Sequence, residues 1–409
     1  MNLAGDSVET SSCRVRVLTT RAELESVAEA WHGLWARCER ARTPYLSFEW
    51  VRTWANHFGQ DGRLCIILVE DDGSIVGIMP LTLVKYRLWP FTLEALETIG
   101  GESRNLIALV APRSGAVVAS AVADYLAREV LRGARALRLS LVPSLHPFLE
   151  LLVSALEGIQ PRIPVRVRLC NFAPYTPLPA LWEDFERSLG KGRRKVMARA
   201  QRRLDLSRRE VRISQWHGDD VDDATRRLFD VHDARWEELG IRGLFHDERN
   251  RAFHLDIARQ CDRMGWLDLS EMQVDGRTAS AHLVLVLDGV SYMMRSGRDT
   301  SFAAYDVGHL HDLHMFRTWI ARGLREADFL RGAEPYKFYW TSHYRVYMEL
   351  LAVGSRQRGG VPLSVARTWI RITRFISHRH PPREVLAYIR QRRMTRRELR
   401  KMGVRLRGA

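Results

Sequence analysis

Two stretches about 200 residues apart, VEDDGSIVGIMPLTLV and MQVDGRTASAHLVLVL, are built alike: an apolar β-rich run, an Asp-Gly pair, a second apolar run. Asp-Gly between such runs signals a two-residue hairpin, because both residues tolerate the positive φ of the tight turn. A chain that spells this unit twice must form two antiparallel meanders, and each needs helices over its apolar face. Self-similarity at this spacing belongs to a duplicated domain and not to a solenoid. The length of 409 residues also suits two domains.

The flanking sequence fits that plan. Residues 21–58 carry helical periodicity, with Leu24, Val27, Ala28, Trp31, Leu34 and Trp35 on one side. After the first meander, helices are predicted at 115–132 and 145–157, with strands at 136–142 and 161–179. A very basic helical segment spans 181–210. Three β-runs follow, punctuated by Asp275-Gly276 and Asp288-Gly289, then a helix at 307–323, a short strand in ADFLRG and a β-run at 346–353. The predicted fold class is α/β, a sandwich with mixed, mostly antiparallel sheets. The expected division is a flexible N-terminus 1–14, domains at 15–180 and 181–354, and a basic helical tail at 355–409.

Charge narrows the function. The formal charge is +15, but residues 355–409 hold 16 Arg/Lys against two Glu, so the body is near neutral. A neutral body without zinc-finger spacing or an RNA-reading aromatic motif argues against a broad nucleic-acid groove. In the tail, Val365, Trp369, Ile372 and Ile376 recur at helical spacing, with Arg367, Arg371 and Arg374 opposite. That pattern suits packing on the enzyme body or an anionic membrane surface, and the same charges would attract nucleic acid. The five cysteines are scattered, odd in number and without a CxxC pair, as free thiols in a reducing compartment would be. The chain lacks a signal-like N-terminus and a run of ~18–20 apolar residues. A cytoplasmic protein is expected, peripheral at the inner membrane surface if the tail binds lipid.

Residues 328–340 read DFLRGAEPYKFYW. A strand-like piece stops at Gly332, a Glu-Pro turn follows, and a lysine stands among aromatics. The chain has only five lysines (Lys85, Lys191, Lys195, Lys337, Lys401) against 58 arginines. A lysine kept at such a place suggests a compact point charge in place of a planar fork. Packing is the rival explanation, with Tyr336, Tyr339 and Trp340 in a core and Lys337 reaching along them.

The order of elements resembles the GNAT acyltransferase superfamily, in its tandem-domain CelD/BioF2-like branch, which is related to the FemAB peptidoglycan ligases. The resemblance covers roughly 15–353. It rests on YLSFEWVRTWANHFG and the DDGSIVGIMPL hairpin in the first half. In the second half it rests on LGKGRRKVMARAQRRL, YDVGHLHDLHMFRTWIARG and the pattern Asp-hydrophobic-x-x-Gly-x-Glu-x-Tyr-Lys-x-x-Trp.

The resemblance implies an acyl-CoA co-substrate, acetyl-CoA first among them, and no metal. The first half has YRLWPFTLEAL where a Gly-rich phosphate loop would stand, so the second half is expected to carry the site. There SGRDTSFAAYDVGHLH leads from a strand into a helix whose N-terminus suits an anion. Its cofactor-binding candidates are Arg295, Gly297, Arg298, Tyr305 and Gly308, with Lys195 of the basic segment for a further phosphate. Asp328, Glu334, Tyr336 and Lys337 would face the acceptor, with either acid as general base and Tyr336 protonating the thiolate or orienting the thioester carbonyl. His309 is a further proton acceptor. His309 and His311 point to opposite sides of a helix, and only His311 and His314 share a face, so no metal site is read from them. The expected activity is acyl-CoA-dependent N- or O-acylation of a small-molecule, sugar or polysaccharide-precursor acceptor. The alternatives are a FemAB-type aminoacyltransferase using charged tRNA and, in another class, a non-catalytic nucleic-acid-binding protein.

Overall fold

A computed structural model describes residues 8–353 apart from 11–12, 40–41, 60–62, 89–90, 100–106, 132–134, 145, 161–164, 239 and 333. The expectations for the tail at 355–409 lie outside the described residues. All three Asp-Gly pairs turn as predicted, with φ of +47° and +73° at Asp72-Gly73, +51° and +74° at Asp275-Gly276, and +49° and +74° at Asp288-Gly289. Two consecutive positive φ values define the type I′ hairpin. The fold is mixed α/β with mostly antiparallel strands, and its contacts divide into two units.

The first unit takes its described residues from Met1–Phe172, Arg331–Ala333 and Arg345–Ala409. It opens with β1 (Val8–Thr10) and β2 (Cys13–Leu18), so part of the expected flexible N-terminus is strand. The single helical region expected at 21–58 is three helices, α1 (Arg21–Glu25), α2 (Ala28–Arg37) and α3 (Phe48–Phe58). Local caps break it: Thr20 and Glu23 form a capping box on α1, and Ser47 caps α3 after a short turn begun by Pro44. The chain continues through β3 (Leu64–Asp71), β4 (Ser74–Leu88), β5 (Phe91–Thr98), β6 (Leu109–Val110), α4 (Gly115–Leu131), β7 (Arg135–Pro143), α5 (Pro147–Gly158) and β8 (Val165–Pro177). Strands β1 to β4 pair antiparallel in sequence order, β5 adds to β4, and β7 runs parallel to β5. A Cβ at Gly77 of β4 would lie 2.6 Å from Val118 of α4, so glycine lets that helix sit close on the sheet.

The second unit comprises Ala173–Leu330 and Glu334–Tyr344. Its elements are α6 (Trp182–Ser188), α7 (Gly190–Leu206), β9 (Val211–Trp216), α8 (Val221–Glu237), α9 (Glu248–Arg263), β10 (Leu267–Val274), β11 (Arg277–Leu287), β12 (Val290–Arg298), α10 (Val307–Ala321), β13 (Glu326–Asp328) and α11 (Pro335–Trp340). The sheet order is β9-β10-β11-β12-β13, with β13 also pairing the end of β8. All pairs are antiparallel except β12 with β13. Helix α8 lies against β11 and β12, while α10 covers the other face of β11. The sequence reading did not anticipate β9, α8 and α9, whose polar surfaces leave only narrow apolar stripes such as Phe253, Ile257 and Cys261.

The β-run at 346–353, assigned by sequence to the second domain, is β14 (Tyr344–Val353) and pairs antiparallel with β7 of the first unit. The contact boundary accordingly falls at Phe172 and not at 180. In β14, Glu349 is buried and receives Arg138 Nε at 2.7 Å and Arg168 Nε at 2.6 Å. Arg138 also stands 3.6 Å from Glu97.

Two stability predictions follow from buried charge. Glu349→Gln removes a buried counter-charge shared by Arg138 and Arg168 and should cost on the order of 3 kcal/mol in urea denaturation. In the second unit, His254 donates Nδ1–H to the Asn250 carbonyl at 2.7 Å and turns Nε2, without a hydrogen-bond partner, among Phe229, Phe245 and Phe253. Burial pushes this imidazole down to about 4 from 6.5. Folding therefore favours the neutral ring, so its contribution is complete above 6.5 and is lost as pH falls toward 4. Stability should drop by roughly 2 kcal/mol between pH 7.5 and pH 5 on this account, and His254→Leu should lack that increment in paired urea titrations.

Candidate functional site

Strands β12 and β13 are parallel neighbours for three residues only, Val290↔Glu326, Ser291↔Ala327 and Tyr292↔Asp328. There β13 stops. Asp328 is fully buried and accepts the Leu330 N–H at 2.8 Å, and Leu330 has φ of +56°, which turns the chain off the sheet. Strand β12 continues to Arg298, so the ladder opens after Tyr292 and leaves the far half of β12 as an edge on that side. A bulge at Met294, where Leu283 pairs with Arg295 but Val284 with Met293, bends the strand at the same place. The expected role of Asp328 at the acceptor is thereby corrected: it closes a buried turn.

Beyond β12, Asp299 accepts the Ser301 N–H at 2.8 Å and starts a short 3-10 stretch, Thr300–Tyr305. Asp306, with φ of +55°, redirects the chain into α10, and no side chain caps that helix's first turn. The first amides of α10 are thus available to an anion. A Cβ at Gly308 would meet only the Arg298 side chain, at 3.4–3.5 Å, so the backbone here is approachable and a cation lies beside it.

The other cofactor candidates separate from this end. A Cβ at Gly297 would lie 2.7 Å from the His232 backbone nitrogen, so this glycine serves the packing of α8 on β12. Arg295, two residues earlier, shares that face and donates to the Met294 carbonyl at 2.8 Å. Ser296 and Arg298 occupy the opposite face, with α10. The Tyr305 hydroxyl accepts from Arg209 at 3.4 Å, which ties it to the end of α7. Lys195 is exposed on α7, whereas Arg193 of the same helix reaches the Phe338 carbonyl at 3.3 Å and covers the Tyr339 ring.

The expected Glu-Pro loop is a helix, α11, begun by Glu334 and Pro335. Lys337 is buried and its Nζ lies 2.9 Å from Glu334 Oε2, one helical turn back. A compact ammonium fits this pair, and of the aromatics expected to form a core around it Trp340 is buried while Tyr336 is exposed. Tyr336 is 40% exposed, with its hydroxyl in reach of Ser296. Burial, then the charges of Glu334 and Asp312, push that phenol well above the usual tyrosine range, against a hydrogen bond to Ser296. It therefore keeps its proton at neutral pH. His309 pairs through Nδ1 with Asp306 at 2.7 Å, and its ring lies against Tyr339. That contact holds the Asp306 carboxyl below the usual range.

The sequence reading missed Asp312, His282 and Ser296. Asp312 is buried on α10, accepts from Trp340 Nε1 at 2.9 Å and lies 3.5 Å from His282 Nε2. Its signal was legible in principle, because Asp312 sits in register with the apolar residues Met315, Phe316 and Trp319. An acid in an apolar stripe is costly and asks for a reason. Of the three α10 histidines, His311 is buried against Ser270 at 2.8 Å, and among the described residues no group of three His, Cys, Asp or Glu side chains is arranged to hold a metal. Nor, among those residues, is any helix long and apolar enough to cross a membrane.

The family model of the Acetyltransferase (GNAT) domain matches residues 191–338, which contain β12, β13, α10 and the first part of α11. No curated protein matches the sequence. Among solved structures, FemX aligns with a TM-score of 0.54 at 12% identity, over 84% of this chain and 97% of its own. The C-terminal domain of a protein named as a lysylphosphatidylglycerol synthetase from Agrobacterium fabrum aligns at 0.52 and 10% identity, over 87% and 96%. A conserved protein of unknown function from Bacteroides thetaiotaomicron aligns at 0.52 and 12% identity, over 83% and 99%. Most of the site thus lies in the stretch that matches the Acetyltransferase (GNAT) domain model, and the chain shares its fold with FemX.

Proposed function

We propose that the second unit transfers an acyl group from acyl-CoA, acetyl-CoA first among the candidates, to an amine or hydroxyl of a small-molecule or saccharide acceptor. One observation carries this reading. The parallel pair β12/β13 opens beside the uncapped start of α10, where Gly308 leaves the backbone bare and Arg298 adds a positive charge. An extended thioester with a pyrophosphate at one end matches a strand edge that ends in an anion site. The first amides of α10 and Arg298 hold the diphosphate, and the free edge of β12 holds the amide-bearing arm.

The chemistry then falls to α11. The acceptor's nitrogen or oxygen attacks the thioester carbonyl carbon, the new C–N or C–O bond forms and the C–S bond breaks. Glu334, half-exposed at the head of α11, takes the acceptor's proton. Tyr336, which holds its proton, gives it to the departing thiolate or steadies the thioester oxygen. Lys337 keeps Glu334 in place. A second reading is supported by the exposed cations of α7, among them Lys191, Lys195, Arg199 and Arg202, and by the fold likeness to FemX. In it the donor is an aminoacyl-tRNA. Release of free thiol from acetyl-CoA with a panel of amine and sugar acceptors tests the first reading. Transfer from charged tRNA without thiol release would replace it with the second.

Two substitutions report on this site. Gly308→Val meets only the flexible Arg298 side chain and improves helix propensity, so the variant should fold. It should nevertheless weaken CoA binding on the order of tenfold, as loss of one hydrogen bond to a charged group would. Unchanged affinity by calorimetry would remove α10 from the cofactor site. Glu334→Gln should lower turnover on the order of 10²–10⁴-fold with little change in CoA affinity. Wild-type turnover would leave Glu334 as the partner of Lys337 alone.

A further inference from the structure

Helix α11 has six residues, too few to be stable unaided, and the chain enters it from a buried turn and leaves it at Thr341 in extended backbone. What holds it is therefore part of what the site needs. Trp340, almost wholly buried at its C-terminal end, packs edge-on against Phe316 with ring centroids 5.0 Å apart and donates Nε1–H to Asp312 Oδ2 at 2.9 Å. The other oxygen, Oδ1, makes no hydrogen bond and faces His282 Nε2 at 3.5 Å. His282 also lies 3.4 Å from Ser280 Oγ, and its ring stands edge-on to His311. Asp312 thus joins a buried polar layer between α10 and the sheet to the short helix that carries Glu334, Tyr336 and Lys337.

An asparagine oxygen could also accept the Trp340 hydrogen bond. A buried carboxyl is dearer, since charge is expensive away from water. We infer that Asp312 is the positioning residue of this site: its buried carboxyl holds Trp340 and through it fixes α11, the helix that carries Glu334, Tyr336 and Lys337. Burial pushes the Asp312 carboxyl up. That Glu334, Tyr336 and Lys337 serve the reaction rests on the acyltransferase reading; the fixing of α11 does not.

The test reads the short helix directly. Hydrogen–deuterium exchange of residues 334–340 is read in the full-length protein without substrate, for Asp312→Asn and Asp312→Leu. Asp312→Asn should exchange like wild type. Asp312→Leu should exchange faster there on the order of tenfold, with the rest of the second unit unchanged, as loss of one hydrogen bond to a charged group implies. If Asp312→Leu does not fold, Trp340→Phe removes the same bond from the other side and should give the same local loss. Wild-type exchange in whichever of these variants folds would overturn the positioning role. With acetyl-CoA turnover, Asp312→Leu should lower kcat and leave KM near wild type, and the conservative Asp312→Asn should restore kcat. A folded Asp312→Leu enzyme with the wild-type kcat, or an Asp312→Asn enzyme no better than Asp312→Leu, would overturn the positioning role. Absence of turnover in the wild-type protein would instead count against the acyl-CoA donor and leave the exchange result standing.

Discussion

The site depends on how briefly β12 and β13 stay together. Three paired residues are enough to seat β13 in the sheet, as its other edge is held by β8, with Glu326 opposite Pro177 and Asp328 opposite Tyr175. Because β13 is anchored on that side, it can end at Asp328 without freeing β12. The buried carboxylate of Asp328 then satisfies the Leu330 N–H that the lost ladder would have used, and the turn costs little. A longer β13 would close the edge of β12 by main-chain hydrogen bonds. The opening thus follows from strand length, and the chemistry-bearing helix α11 begins where the strand gives out.

Helix α10 has to serve three surfaces, which explains its unusual sequence. One side meets the aromatic core of Phe185, Phe316, Trp319, Phe329 and Trp340, and another meets α7 and the Phe302 cluster. Its third contact is the polar layer of the sheet, where Trp319 and Arg322 both donate to the buried Asp268 and His311 meets Ser270. A helix buried on so many sides shows little amphipathic contrast. Its histidines and aspartate therefore resemble surface residues in a linear reading although His311 and Asp312 are buried. These specific pairings fix the rotation of α10 more tightly than apolar packing alone would.

Much of the architecture was legible because hairpins are local. Each Asp-Gly pair carries its turn geometry in two residues, and each strand beside it carries its own alternation. Helix α10 was placed to within two residues at its end, because Asp306 and Gly323 mark it chemically. The assignment of β14 failed for the opposite reason. Nothing in Val346, Tyr347, Leu350 or Leu351 says which sheet will take a run of apolar residues, and only the pairing with β7 decides it. Gly297 was misassigned in the same way: a glycine before a helix start looks like a phosphate loop, whereas its neighbour is α8, more than sixty residues earlier in sequence. The sequence left Arg295 and Arg298 as alternatives beside Gly308, and it is the Arg298 side chain that lies next to it.

The two units also show what separates a sheet that keeps an opening from one that does not. The first unit has its own parallel pair, β5 with β7, in register from Glu94↔Arg135 to Glu97↔Arg138. Where that pair ends, Glu97, Arg138 and Glu349 form a buried ionic cluster, joined by Tyr86 through its bond to Glu97. Filling by charges is stable only when each is matched, and here both arginines and both acids are. The helix that follows β5 and β6 begins at Gly115, where a Cβ would lie 3.0 Å from Leu151 of α5, so its start is covered by a side chain from the neighbouring helix. Gly308 has only Arg298 beside it. The same supersecondary plan thus yields a filled corner in one unit and an approachable one in the other, and the difference comes down to what stands next to the first turn of a helix.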